Sequence, residues 1–295
     1  MFARSLTLVL LLAGCVPSSA QDEPRARNQQ TAWAAQCRDD SGWDDPGPPF
    51  KIHGNAYYVG TCGIGAILIT GEQRHVLIDT GTEKGGELVA ANIRALGFDP
   101  TDVEVLLLSH EHHDHAGGTA RMKQLTGARL LVAAGAAAAI ASGRASAGDP
   151  QYEIDEGMAP ASVDGVVRDG APVTLGNLSL TPIETPGHTP GATSWQWRSC
   201  QGDDCRTIVY ADSLSPVSSD GYRFSDHPAY VATFRASLDK LARLDCDIVL
   251  TPHPSASAMR DRLVSGALGD GTGCRTYAED RGRLLDERLT KETNG

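Results

Sequence analysis

At 295 residues, 41% hydrophobic and 21% charged, the chain has the composition of a globular protein long enough to bury a sizeable core. Its formal net charge of −11, with no basic stripe, provides no phosphate-binding face and sets nucleic acid aside as a partner.

Residues 1–20 read as an export signal: Arg4 gives a positive start, residues 6–13 an apolar stretch, and Ser18, Ser19 and Ala20 a small-residue cleavage site. A second reading stands beside it, because Leu12, Ala13, Gly14 and Cys15 resemble a lipoprotein box in which Cys15 carries lipid. Both send the protein out of the cytoplasm, to the periplasm or to an anchor on its membrane. No other stretch has the length of a transmembrane helix, so no membrane span is expected. Of the seven cysteines, six remain once Cys15 is lost or acylated, and an even number in an exported chain points to disulfides. Residues alone leave their pairing open, although Cys200 and Cys205 flank a turn-forming stretch and are placed to close a hairpin. None has CxxC spacing, which argues against a thiolate zinc site.

Residues 21–49 are polar and rich in proline toward their end, and are expected to form an irregular arm tied down by Cys37. From Phe50 to the C-terminus a single domain (50–295) is expected. Short apolar runs at 56–59, 64–70 and 76–78, punctuated by glycine, predict strands. Asp79, Thr80 and Gly81 end the third, and 82–96 has helical periodicity stopped by Gly97. Residues 103–108 predict a buried strand, followed by a helix to about Leu125, a strand over 130–133 and a short helix over 136–141. Residues 143–170 have little periodicity; a connection that long predicts a functional lid, with Gln151 and Tyr152 its side chains best able to touch a ligand. Strands resume at 173–175, 178–183, 193–197 and 207–210. A helix is expected over 228–244, a strand over 248–251, and closing helices over 259–268 and 277–289. Strand runs thus appear twice, each followed by helices, as in two packed sheets with helices outside.

The chemistry is concentrated in His110-Glu111-His112-His113-Asp114-His115, directly after the strand at 103–108. Zinc takes imidazole nitrogen and carboxylate oxygen at about 2.0–2.2 Å and usually has four ligands. His110, His112, Asp114 and His115 are too many for one ion that keeps a position open for water, so the crowding points to two ions. Two further histidines follow strand ends: His188 in Thr185-Pro186-Gly187-His188-Thr189-Pro190-Gly191, and His253 in Thr251-Pro252-His253-Pro254. His53, His75, His113 and His227 are assigned no ligand role.

This HxHxDH cluster, the later His188 and His253, and the Asp79 turn resemble the metallo-β-lactamase superfamily and, within it, the subclass B3 metallo-β-lactamases. The resemblance runs from about Phe50 to the C-terminal helix. It implies an α/β fold, a four-layer αβ/βα sandwich of two mixed β-sheets flanked by helices. It implies two Zn2+ ions, one bound by His110, His112 and His188 and the other by Asp114, His115 and His253. Asp114 is thereby also catalytic, as part of the ligand set of the ion that steadies the departing nitrogen. A zinc-bound hydroxide would attack the lactam amide of penicillins, cephalosporins and carbapenems, making the protein a hydrolase of cyclic amides that confers antibiotic resistance. Ser213 and Ser215 would hydrogen-bond the substrate carboxylate, with Gln151 a further substrate contact. Asp79 would lie buried and hold the ligand loop. The resemblance also implies the pairs Cys37–Cys62, Cys200–Cys205 and Cys246–Cys274, and a monomer acting on a small molecule.

The rival on the same fold is an exported lactonase or glyoxalase II-like thioesterase. Those enzymes use a bridging Asp, and Asp212 stands one residue from Ser213. Asp212 between the metals would defeat the lactamase reading, whereas Ser213 facing the cavity would support it. An exported zinc-binding protein without catalytic activity is the reading of a different class.

Overall fold

Three consecutive strands show how the layers are sorted. In Ile67-Leu68-Ile69, Val76-Leu77-Ile78 and Val105-Leu106-Leu107 every residue is buried, and alternate residues go to different cores. The outer two of each triplet face a second sheet, while Leu68, Leu77 and Leu106 face helices. A strand apolar on both faces fits only between two covering layers.

The computed structural model describes residues 19–294. Residues 1–18, which include Cys15 and all but the last two residues of the expected export signal, lie outside them. Helix α1 (Ser19–Gln36) precedes β1 (Phe50–His53), β2 (Ala56–Tyr58), β3 (Ile67–Thr70), β4 (His75–Ile78), α2 (Gly85–Ala95) and β5 (Val103–Leu107). Then come α3 (His113–Ala116), α4 (Thr119–Thr126), β6 (Arg129–Ala133), α5 (Ala137–Ser142) and β7 (Gly165–Val167). The second sheet contains β8 (Val173–Leu175), β9 (Leu178–Glu184), β10 (Thr193–Gln201), β11 (Asp204–Tyr210) and, after α6 (Pro228–Ala242), β12 (Ile248–Leu250). Helices α7 (Met259–Ser265) and α8 (Gly273–Asn294) close the chain. Among the described residues no helix is long and apolar enough to cross a membrane.

The sheets run β1-β2-β3-β4-β5-β6-β7 and β12-β11-β10-β9-β8, and both mix parallel and antiparallel pairs. Their facing residues, including Ile67, Val105, Trp195, Trp197 and Tyr210, form the central core. Outside the first sheet lie Val89, Ile93, Met122 and Ile140 from α2, α4 and α5. Outside the second lie Phe234, Leu238, Leu241, Tyr277 and Leu285 from α6 and α8. This is the four-layer sandwich expected.

Two expectations need correction. Residues 21–36 belong to α1 and are not irregular. Arg, Gln and Ala are good helix formers, and the helix is anchored by few apolar residues: Trp33 is 1% exposed and lies edge-on to Phe50 and Tyr58, with ring centroids 6.0 and 5.6 Å away. Arg260 Nε donates to the carbonyls of Ala34 and Cys37, satisfying backbone acceptors where the helix ends. In residues 143–170, β7 pairs in parallel with β6. Only Val167 of its three residues is buried, so no alternation is long enough to see.

Topology places the site. β4 and β5 are parallel, as are β11 and β12, while β9 is related to β11 through the antiparallel β10. The C-terminal ends of β9, β11 and β12 therefore share one edge of their sheet. Trp195 Nε1 donates to the Leu108 carbonyl at 2.9 Å and Thr193 N to the Ser109 carbonyl at 2.7 Å, which joins that edge to the end of β5.

Candidate functional site

The loop after β5 begins from a buried anchor. Asp79, at the end of β4, has a φ of 62° and is fully buried. Its Oδ1 accepts from Ser109 N at 2.7 Å, and its Oδ2 accepts from Ser109 Oγ at 2.7 Å and Tyr210 OH at 2.8 Å. Burial raises its pKa to about 6, against the pull of His115 and these donors. One carboxylate thus fixes the residue before His110 and ties both sheets together.

His110, His112 and His188 form a triangle of imidazoles with ring centroids 4.9, 4.8 and 4.9 Å apart, each pair close to edge-on. Each ring is engaged from behind. His110 Nδ1 lies 2.8 Å from Asp212 Oδ1, His112 Nε2 lies 3.0 Å from Asp149 Oδ2, and His188 Nδ1 lies 2.9 Å from the Ser215 carbonyl. Carboxylates and carbonyls only accept, so these nitrogens donate, leaving His110 Nε2, His112 Nδ1 and His188 Nε2 as the lone-pair atoms. His110 Nε2 is buried without a protein partner. Burial, followed by neighbouring imidazoles, pushes the pKa values of His110 and His188 well below the usual histidine range, which keeps both neutral as a metal ligand must be.

The second group lies alongside. Asp114 Oδ2, His115 Nε2 and His253 Nε2 are mutually 3.0, 3.2 and 3.3 Å apart. Ligands about 2.0–2.1 Å from a tetrahedral zinc are roughly 3.3 Å from one another, so this donor set fits a cation. Burial opposes the Asp114 charge, but His115 and His253 hold its pKa well below the ordinary carboxylate range. Both the set His110, His112, His188 and the set His110, Asp114, His115 have ligand atoms within 4.8 Å of one another, so the two groups abut at His110.

Two loops carrying these ligands are joined by Glu111. Its buried carboxylate accepts from Thr189 Oγ1 at 2.8 Å and Gly191 N at 3.0 Å. Burial pushes its pKa to about 7 despite the Thr189 hydroxyl.

Above the histidines opens a cleft of about 170 Å3, lined by Trp43, His112, His113, Asp114, Gln151, Ile154, Asp155, His188, Ser215, Val217 and His253. Gln151 Nε2 is buried here without a protein partner. Ser215 Oγ lies 3.1 Å from His188 Nδ1. Ser213 is not among the lining residues; it is buried, its Oγ has no partner, and its carbonyl accepts from Tyr277 OH at 2.5 Å. The chain kinks between the two serines at Leu214, whose φ is 42°. Asp212, weighed as a bridging ligand, lies behind His110 on the nitrogen turned away from the cavity. A separate cavity of about 620 Å3 shares Trp43 and His113 with this cleft and is lined in part by Asp44, Glu83 and Glu156. His113, given no ligand role, packs 5.5 Å from Trp43 and has Nε2 3.7 Å from Glu156.

Sequence reasoning missed Trp43, Asp149 and the position of Asp212. Trp43 is a lone aromatic among Asp, Gly and Pro, and that contrast is its one signal. The three anticipated cysteine pairs stand at bonding distance, with S–S separations of 1.97, 1.99 and 2.03 Å for Cys37–Cys62, Cys200–Cys205 and Cys246–Cys274.

An αββα sandwich with a histidine and carboxylate cluster at one sheet edge defines a class of metal-dependent hydrolases, and the family described as "Metallo-beta-lactamase superfamily" matches residues 59–253. The chain belongs to that superfamily. Within it, the chain is similar to subclass B3 enzymes. The solved structure of the MIM-2 metallo-β-lactamase is 52% identical, with a TM-score of 0.86 over 90% of this chain and 98% of that one. MIM-1 from Novosphingobium pentaromativorans is 48% identical, with a TM-score of 0.86 and the same shares of each chain. MEM-A1, a subclass B3 enzyme from a soil metagenome library, is 40% identical, with a TM-score of 0.83 over 86% and 99%. Among curated proteins, the hydroxyacylglutathione hydrolase of Rhodopseudomonas palustris is 30% identical over 129 residues, 44% of this chain and 40% of that protein. The chain thus spans well under two thirds of that relative's length.

Proposed function

We propose that the protein is a zinc-dependent β-lactamase that hydrolyses the lactam amide of penicillins, cephalosporins and carbapenems. The observation that carries this reading is the convergence of the ligand atoms on one cleft in a chain 52% identical to a metallo-β-lactamase. His110, His112 and His188 hold one Zn2+ ion, and Asp114, His115 and His253 a second. Zinc bound there would supply a nucleophilic water by lowering its pKa from 15.7 to about 7, polarise the lactam carbonyl and stabilise the negative charge developing on the departing nitrogen. The chain's own groups bind and orient the substrate. Ser215 receives the carboxylate, Gln151 Nε2 offers an N–H with no competing protein partner, and Trp43, Ile154 and Val217 form an apolar wall that excludes water. Ser213, buried and with its carbonyl held by Tyr277 OH, supports the loop more directly than it supports the substrate. Export with all three disulfides closed, into the periplasm or onto its membrane, fits the leader and the cysteine pairs.

The thioesterase reading draws on the hydroxyacylglutathione hydrolase relatives. The engagement of Asp212 with the rear nitrogen of His110 weighs against it, since that carboxylate is not free to bridge two ions. Purified protein is expected to turn over a chromogenic cephalosporin, a penicillin and a carbapenem, to lose this activity with a chelator and to regain it with zinc. Zinc-replete protein inactive on all three would refute the proposal.

A further inference from the structure

Residues 143–170 contain one fully buried carboxylate, that of Asp149, which is 1% exposed. Its two oxygens have different partners. Oδ2 lies 3.0 Å from His112 Nε2, and Oδ1 accepts the backbone N–H of Gln151 at 2.7 Å. The second contact alone would be an ordinary Asx turn. The first connects that turn to a ring whose other nitrogen faces the first metal pocket. The segment continues into the cleft wall: Tyr152 N donates to the Asp149 carbonyl at 3.1 Å, and the Pro150 carbonyl accepts from Ser219 N at 2.9 Å.

Resting on the metal-site reading above, we propose that Asp149 is a positioning residue that couples the Gln151 segment to the first metal pocket, so that filling the pocket orders the segment. A cation on His112 Nδ1 fixes the ring and makes Nε2–H a more polar donor. Hydrogen bonds with a charged partner are shorter and roughly twice as strong as neutral ones. The plane of the Asp149 carboxylate is then set from one side, and its other oxygen is presented steadily to the Gln151 N–H. Two donors converge here, and a carboxylate has two acceptor oxygens where an asparagine amide has one. Asp149→Asn therefore retains one link and loses the other at nearly unchanged volume. Coupling of this kind is reciprocal: whatever holds Gln151 in place, including a bound substrate, raises the affinity of the first pocket for its ion.

Amide hydrogen exchange over residues 146–157 of the full chain, measured without metal and with zinc alone, tests this independently of turnover. Zinc is expected to slow exchange at Gln151 and Tyr152 by about tenfold or more. In Asp149→Asn the zinc-dependent slowing should vanish, and competition with a chelator should show the first ion held about 10–100-fold more weakly. In Asp114→Asn, which alters the other pocket, the slowing should persist. The comparison of the unaltered protein with and without zinc requires no variant to fold. Zinc that binds but leaves Gln151 exchange unchanged overturns the coupling while sparing the metal reading. Intact zinc-dependent protection in Asp149→Asn also overturns the coupling, whereas failure of the unaltered chain to bind zinc overturns both.

Discussion

The two halves of the cleft are held in different ways. Around His110, His112 and His188 the protein grips each ring from behind, through Asp212, Asp149 and the Ser215 carbonyl, and Glu111 ties the two loops together. Around Asp114, His115 and His253 the ligand atoms press on one another instead. The His253 side chain is 30% exposed at the mouth of the cleft, with the Trp43 ring 6.2 Å away. Ligands already oriented by their hydrogen bonds lose less freedom when an ion arrives. On the two-ion reading proposed above, the first pocket would be built before its ion and the second completed by its ion, and the first should bind zinc more tightly.

The strongest break in this comparison is His188→Ala, which removes a ligand from the prebuilt pocket. Several kcal/mol of transition-state stabilisation is at stake, so kcat/KM for a cephalosporin should fall on the order of 10³-fold. Steady-state kinetics that show less than a tenfold loss would contradict the assignment. Asp114→Asn should cost about 10²-fold, with metal analysis after dialysis finding close to one zinc per chain, retained in the first pocket. Loss of both ions would mean that the pockets are not separable as described.

Smaller changes sharpen the contrast. Glu111→Ala leaves the Thr189 hydroxyl and the Gly191 N–H buried without their acceptor, at about 1–3 kcal/mol for each group. Denaturant unfolding of the zinc-free protein should show this loss. Glu111→Gln, which keeps an acceptor for Gly191 and a polar partner for Thr189, should stay within about 1 kcal/mol of the parent. Asp212→Asn keeps an acceptor behind His110 but removes its charge, and should weaken the first ion only about tenfold in a calorimetric titration. An equal effect on the second ion would argue that Asp212 serves both pockets.

The candidate ligands were legible as a group because each sits at the C-terminal end of an apolar strand or in the HxHxDH run that follows one, and the two sheets bring such ends together at one edge. The groups behind the ligands were not. Asp149 lies in a segment with no periodicity to locate it, and its importance depends on one contact with a residue 37 positions away. Asp212 and Ser213 could not be told apart by spacing, because the chain leaves strand geometry after Tyr210 and kinks at Leu214, where alternation no longer decides which side chain faces the cleft. Helix α1 was hidden for another reason. Among its residues from 23 onward the buried ones are Trp33 and Ala34 of the last turn, too small a fraction to give a helical pattern.

The central claim is most directly tested by measuring kcat/KM on one zinc-loaded preparation with a cephalosporin and with a hydroxyacylglutathione thioester. The arrangement described here, with Asp212 engaged behind His110 and Ser215 at the cleft, predicts a value for the lactam at least about 10²-fold above that for the thioester, a difference of roughly 2.7 kcal/mol in transition-state stabilisation. A thioester value that equals or exceeds that of the lactam would contradict it.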